Sequence, residues 1–144
     1  MTRVLIIDDE APIRLLCRVN LEAEGVEVTE APDGASGIEL ARRERPDAIL
    51  LDVMMPRLDG WDVAQLLVED ELTKEIPIIF LTARAEVRDR ARGLDIGGVE
   101  YVTKPFNPLD LAPMIEALLD RIRHDGLDNC RGEKLAELRA LVHE

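Results

Sequence analysis

A doubly wound α/β fold, with a five-stranded parallel sheet and helices on both faces, is predicted by three observations. Apolar runs of strand length recur along the chain, amphipathic stretches of helix length separate them, and five of each alternate. Strict alternation means βαβ crossovers, which force a parallel sheet sandwiched between helices. At 144 residues, 47 % hydrophobic and 33 % charged, the chain is one domain with room for a short appendage.

Val4-Leu5-Ile6-Ile7, Ala48-Ile49-Leu50-Leu51 and Ile78-Ile79-Phe80-Leu81 are continuous apolar runs, as expected of strands buried on both faces. Val26-Glu27-Val28 and the run 99–102 are shorter and partly polar, which suits the sheet edges. Ile13, Cys17 and Leu21 recur every fourth residue, and Gly25 then terminates a first helix. Further helices are predicted over 33–44, 61–72, 85–94 and 109–122. Pro113 conflicts with a helix starting at Pro108, because it would lie past the first turn. A start near Asp110, or a kink, accommodates it. The segment His124-Asp125-Gly126 should break the helix beyond Arg123. Leu135, Leu138 and Leu141-Val142 form a weak stripe on a short last helix, with Glu133, Lys134, Glu137 and Arg139 as its solvated face. The main domain is therefore 1–123, and 124–144 a short helical extension or linker, too small for an independent output domain.

Only four residues are aromatic, so the core must be built from Val, Ile, Leu, Met and Ala. The formal charge of −12 repels nucleic acid and anionic membrane, and argues against DNA binding by this chain itself. No apolar run reaches the ~20 residues needed to cross a bilayer. The start Met1-Thr2-Arg3-Val4 carries no visible secretory signal. Cys17 and Cys130 lack metal-like spacing and read as reduced thiols. An acidic cytoplasmic domain with no membrane contact is the expectation.

Ligands of such sheets bind at the carboxyl ends of the strands. There the first strand ends in Asp8-Asp9, the third in Asp52, the fourth in Thr82 and the fifth in Lys104-Pro105. Three carboxylates at one site repel, so protons or a cation must compensate. Mg²⁺ does this with one or two carboxylates, several waters and phosphate oxygens. Lys104 and Thr82 on the same rim suit an incoming anion. The set fits phosphoryl transfer onto a carboxylate nucleophile, forming an acyl phosphate. Each residue alone has an ordinary explanation: Asp8 or Asp9 as a helix cap, Asp52 as a solvated strand end, Lys104 as a surface charge, Thr82 as a turn hydroxyl. Their joint placement at successive strand ends favours a site.

Four segments then carry a likeness: Val4-Leu5-Ile6-Ile7-Asp8-Asp9-Glu10, Asp52-Val53-Met54-Met55-Pro56-Arg57-Leu58-Asp59-Gly60, Leu81-Thr82-Ala83 and Tyr101-Val102-Thr103-Lys104-Pro105-Phe106. Through them the chain resembles the receiver domain of two-component response regulators, over roughly residues 3–123. The resemblance implies a flavodoxin-like sheet of strand order 2-1-3-4-5. It implies that Asp52 accepts a phosphoryl group from a sensor histidine kinase, a phosphotransfer protein or a small donor such as acetyl phosphate. Mg²⁺ would be held by Asp9, Asp52 and the Met54 carbonyl, with Asp8 acting mainly through metal-bound water. Lys104 would pair with the phosphoryl oxygens, ahead of a cis bond to Pro105. Thr82 would swing onto the phosphoryl group, Ala83 would leave the donor a path, and Tyr101 would turn inward as Thr82 moves. The chain is then a signalling phosphoacceptor, not an enzyme beyond self-phosphotransfer and slow autodephosphorylation. Slow loss follows from Met54, which cannot orient water, and from Arg84, which can shield the phosphoryl oxygens.

Two surfaces follow from the same resemblance. Leu15 and Val19 lie off the sheet-facing stripe of the first helix, where the family docks its kinase. The face made by the fourth helix, fifth strand and fifth helix carries Arg88, Arg92, Glu100 and Arg121. Regulators with DNA-binding outputs often pair there through charges, so a homodimer is allowed, although Gly98-Val99-Glu100 departs from the usual small-acidic-acidic run. His124 and His143 lack the helical context of a phosphotransfer histidine. A haloacid-dehalogenase-like phosphatase would need an acid where Met54 stands. A flavodoxin-like cofactor binder would need a phosphate-cradling loop where Asp8-Asp9-Glu10 repels phosphate. The remaining alternative is a receiver-shaped interaction module that is never phosphorylated, against which the complete acid, Thr and Lys set argues.

Overall fold

A computed structural model of the chain describes residues 1–82 and 97–142, so the helix predicted over 85–94 lies outside the described residues. The strands are β1 (Arg3–Ile7), β2 (Glu27–Ala31), β3 (Ala48–Asp52), β4 (Ile78–Thr82) and β5 (Glu100–Thr103). The helices are α1 (Ala11–Ala23), α2 (Gly34–Glu44), α3 (Gly60–Glu69), α4 (Leu111–Asp125) and α5 (Leu127–Val142), with a 3-10 turn at Pro108–Asp110. The sheet order is β2-β1-β3-β4-β5 and every pair is parallel. This is the flavodoxin-like order, with the two partly polar strands at the edges as expected, although β2 is five residues long, as long as the central strands.

Side chains alternate across each strand, and the alternation splits the core into two layers. Val4, Ile6, Leu50, Ile79 and Leu81 meet Cys17 and Leu21 of α1 and Ile115 and Leu119 of α4. Leu5, Ile7, Ile49, Leu51 and Phe80 meet Ala41 of α2 and Trp61, Val63 and Leu67 of α3. Burial on both faces is why the central strands read as unbroken apolar runs. The Trp61 and Phe80 rings lie 4.8 Å apart in a tilted pair within the second layer.

The boundaries show what periodicity could not resolve. α3 stops at Glu69, short of the predicted 72. Beyond it the Thr73 hydroxyl donates to the Leu67 carbonyl at 2.6 Å and the Leu72 N–H donates to Asp70, local side-chain bonds that compete with the helix. The conflict at Pro113 is resolved by a late start: α4 begins at Leu111, so the proline sits within the first turn. α4 runs on to Asp125, and only Gly126, at φ 86°, breaks it. The last helix also differs from expectation. It is 16 residues long, and buries Leu127 and Cys130 at its start. Its polar face is not simply solvated either, since Glu133 pairs with Arg121 and Lys134 with Glu100.

An acidic pocket at the carboxyl edge of the sheet

Parallel strands deliver their last residues to one edge. Asp52 ends β3, Thr82 ends β4, Asp8 follows β1 and Lys104 follows β5. Asp8, Asp52 and Thr82 are buried, while Asp9 and Glu10 are exposed at the rim. Ligand atoms of Asp8, Asp9, Glu10 and Asp52 all lie within 4.8 Å of one another. Glu10 joins the cluster although sequence reasoning did not single it out; its signal was its place in the Asp8-Asp9-Glu10 run.

Backbone bonds hold the acids in place. Asp8 Oδ1 accepts from the Glu10 N–H at 2.9 Å, and Asp52 Oδ1 from the Met54 N–H at 3.2 Å. These bonds replace the helix-cap role, for α1 has no side-chain cap. Lys104 Nζ donates to Asp8 Oδ2 at 3.1 Å and stands 3.4 Å from Asp52 Oδ1, and its N–H donates to the Thr82 carbonyl at 2.7 Å. The Lys104–Pro105 peptide is cis. Arg14 supports the pocket from α1 by donating to the Asp8 carbonyl at 2.7 Å and to Glu30 at 3.2 Å, a role its sequence context does not signal. Gly60 lets α3 begin directly against β3: a Cβ there would lie 2.3 Å from the Asp52 carbonyl oxygen.

Charge is left over in this pocket. Burial, with the neighbouring Asp8 carboxylate, pushes the Asp52 carboxyl up to about 7 against the pull of Lys104. Burial draws the Lys104 ammonium down, but Asp52 and Asp8 outweigh it and leave it above its usual value. Asp52 Oδ2 is buried without a hydrogen-bond partner among the described residues. Clustered carboxylate oxygens and one orphaned buried oxygen fit a hard divalent cation. Burial, then Asp8, also pushes the nearby Cys17 thiol up to about 12, which keeps it neutral and inert. Cys17 and Cys130 are both free and buried.

Of the other residues singled out in the sequence, Met54 is half exposed, and Tyr101 is partly buried against the layer under α2 and α3. Leu15 and Val19 are exposed on α1, and Leu16, which was not singled out, joins them. Ile13, Leu16, Lys104, Pro105 and Phe106 line an open groove of about 360 Å³ next to this face. Glu100 and Arg121 are engaged by α5. His124 is exposed, its ring Nδ1 2.8 Å from the Asp120 carbonyl, so it plays no part in the pocket. Ala83, Arg84, Arg88, Arg92 and His143 lie outside the described residues. Among the described residues, no helix is long and apolar enough to cross a membrane.

A doubly wound sheet with a buried acid pair, a lysine and a threonine at successive strand ends defines an α/β domain with a cation-competent anion pocket. The chain belongs to the response regulator receiver domain family, whose pattern it matches over residues 4–116. It is 44 % identical over 121 residues to the DNA-binding dual master transcriptional regulator RpaA of Synechocystis, covering 84 % of this chain and 50 % of that protein. It is 42 % identical over 120 residues to the phosphate regulon transcriptional regulatory protein PhoB of Klebsiella pneumoniae, covering 83 % and 52 %. The chain thus spans about half the length of the curated relatives it matches. Among solved structures, the chemotaxis protein CheY4 of Vibrio cholerae superposes with TM-score 0.77 at 31 % identity, over 81 % of this chain and 98 % of that one. A CheY-like receiver domain protein of Methanospirillum hungatei gives TM-score 0.80 at 28 % identity, over 88 % and 99 %. Receiver domains serve as phosphoacceptors rather than as turnover enzymes, and the acidic pocket is consistent with that role.

Proposed function

We propose that this chain is a phosphorylation-controlled signalling module in which Asp52 is the phosphoacceptor. One observation carries the reading: Asp52 presents a buried carboxylate oxygen with no hydrogen-bond partner among the described residues, beside the Lys104 ammonium. That oxygen attacks the phosphorus of a phosphohistidine on a sensor histidine kinase or phosphotransfer protein. An O–P bond forms, the N–P bond breaks, and its electron pair stays on the departing imidazole, which takes a proton from water. Asp9, Asp52 and the Met54 carbonyl would hold Mg²⁺, with Asp8 behind a bound water and Glu10 at the rim. Bound there, the ion supplies neutralisation of the phosphoryl oxygens.

The protein's own groups do the rest. Lys104 exchanges its contact with Asp52 for the phosphoryl oxygens, and the Thr82 hydroxyl donates to another of them. Tyr101 moves inward with Thr82, and the face carrying Glu100 and Arg121 changes shape, which shifts the population between two states. Met54 offers incoming water no group to orient it, so autodephosphorylation is slow; Arg84, which lies outside the described residues, would add to this if it shielded the phosphoryl oxygens. The altered face pairs with a second copy of this chain. Residues 1–123 form the receiver and 124–144 its helical extension, acting in the cytoplasm without direct contact with nucleic acid or membrane.

Acetyl phosphate with Mg²⁺, followed by intact mass, tests this. One added phosphoryl group is expected on the wild type and none on Asp52→Asn. An unmodified wild type, or a modified Asp52→Asn, overturns the assignment.

A further inference from the structure

The C-terminal helix is the element that the phosphoryl chemistry leaves without a task. α5 lies beyond the 4–116 match to the family and runs beside α4. Its start is fastened firmly: Leu127 and Cys130 are buried, and the Arg131 guanidinium donates to the Gly97 carbonyl at 2.7 Å and the Lys74 carbonyl at 3.3 Å. Those two carbonyls belong to the segments leading into β5 and β4.

Glu133 and Lys134, after Gly132, reach a different surface. Lys134 Nζ stands 3.5 Å from Glu100 Oε1, and Glu133 Oε2 accepts from Arg121 Nη2 at 3.1 Å. Glu100 and Arg121 carry opposite charges on one face. A two-fold axis passing between them sets each acid against the other copy's base, so in that arrangement the surface is complementary to itself. The consecutive pair Glu133 and Lys134 offers the same two complements from within the chain.

We propose that α5 is a removable cover on the pairing face, competing with a second copy of this chain for Glu100 and Arg121. The inference rests on the homodimer proposed above. Tethering gives the cover a standing advantage, because a segment on a short link acts at an effective concentration of roughly millimolar. Its ties at Glu100 and Arg121 are partly exposed ion pairs, the kind that solvent weakens, so this stretch peels while the Arg131 anchor stays.

The test uses the full chain with Mg²⁺ and beryllium fluoride as a phosphoryl mimic. The variant Glu133→Lys with Lys134→Glu sets like charges against Arg121 and Glu100. Hydrogen exchange reads the helix, and sedimentation equilibrium reads association. Exchange over 133–142 is expected to rise about tenfold or more in the variant, with dimer formation tightened about tenfold or more. Adding Glu100→Lys and Arg121→Glu swaps both pairs and should return exchange and association to wild-type values. Unchanged exchange in the double variant overturns the cover. Equal dimerisation of wild type and released variant also overturns it while leaving the pairing intact, and two monomers overturn the pairing and the cover together.

Discussion

Asp52 is charged in the fold only against resistance. Its carboxyl is raised from 3.8 to about 7 by burial and by Asp8. Between those values the folded protein keeps a proton that the unfolded chain has released. This group's stabilising contribution is therefore full below about pH 4 and lost as pH rises through about 7. Asp52→Asn removes that dependence and is expected to stabilise the metal-free protein increasingly across this window. The gain reaches on the order of 1–3 kcal/mol at about pH 8, measured by urea unfolding at several pH values. A gain that is flat or shrinks with rising pH contradicts the assignment. Lys104→Met acts in the opposite direction, since it strips the ammonium that faces two buried carboxylates. It should cost roughly 1–3 kcal/mol at about pH 8 and less near pH 5, where Asp52 holds its proton. The same unfolding curves decide both.

At the scale of elements, α2 and α3 offer a matched pair of tests. Each starts with an Asp whose side chain accepts from a backbone N–H three residues on, Asp33 from Ser36 and Asp59 from Asp62. Asp33→Ala should cost about 1 kcal/mol without touching phosphorylation. The backbone N–H of Ser36, then its hydroxyl, holds the Asp33 carboxyl below its usual value. The cap's contribution is thus present above the unfolded carboxyl's range and fades as the solution is acidified through the lower folded value. Gly60→Ala differs, because its Cβ would collide with the Asp52 carbonyl and Val53 Cα. A loss of about 1–3 kcal/mol and slower labelling by acetyl phosphate are expected together. Element boundaries were also where sequence reading was weakest. The proline rule anticipated the late start of α4, whereas the end of α3 turned on the bond from Thr73 to the Leu67 carbonyl. The anchoring of α5 depends on Arg131 reaching carbonyls 34 and 57 residues away.

At the scale of the molecule, the exposed Leu15, Leu16 and Val19 adjoin the groove beside Lys104 and Phe106, so a docked kinase would reach the acidic pocket. Arg14 and Arg18 are poor probes of this face, since both are tied to Glu30 and Arg14 also holds the Asp8 carbonyl. Leu15→Glu with Val19→Glu tests it more cleanly. Phosphotransfer from the kinase is expected to slow about tenfold or more, while labelling by acetyl phosphate stays unchanged. Equal loss with both donors would remove the docking face. The parallel sheet, its edge strands, and the convergence of Asp8, Asp9, Asp52, Thr82 and Lys104 were legible in the primary structure. Burial on both faces and the one-way run of parallel strands write these into local pattern and strand ends. The entry of Glu10 into the cluster, the orphaned oxygen of Asp52 and the engagement of Glu100 and Arg121 by α5 required the folded chain. They arise from contacts between distant segments, and neither hydrophobic period nor capping chemistry carries that information.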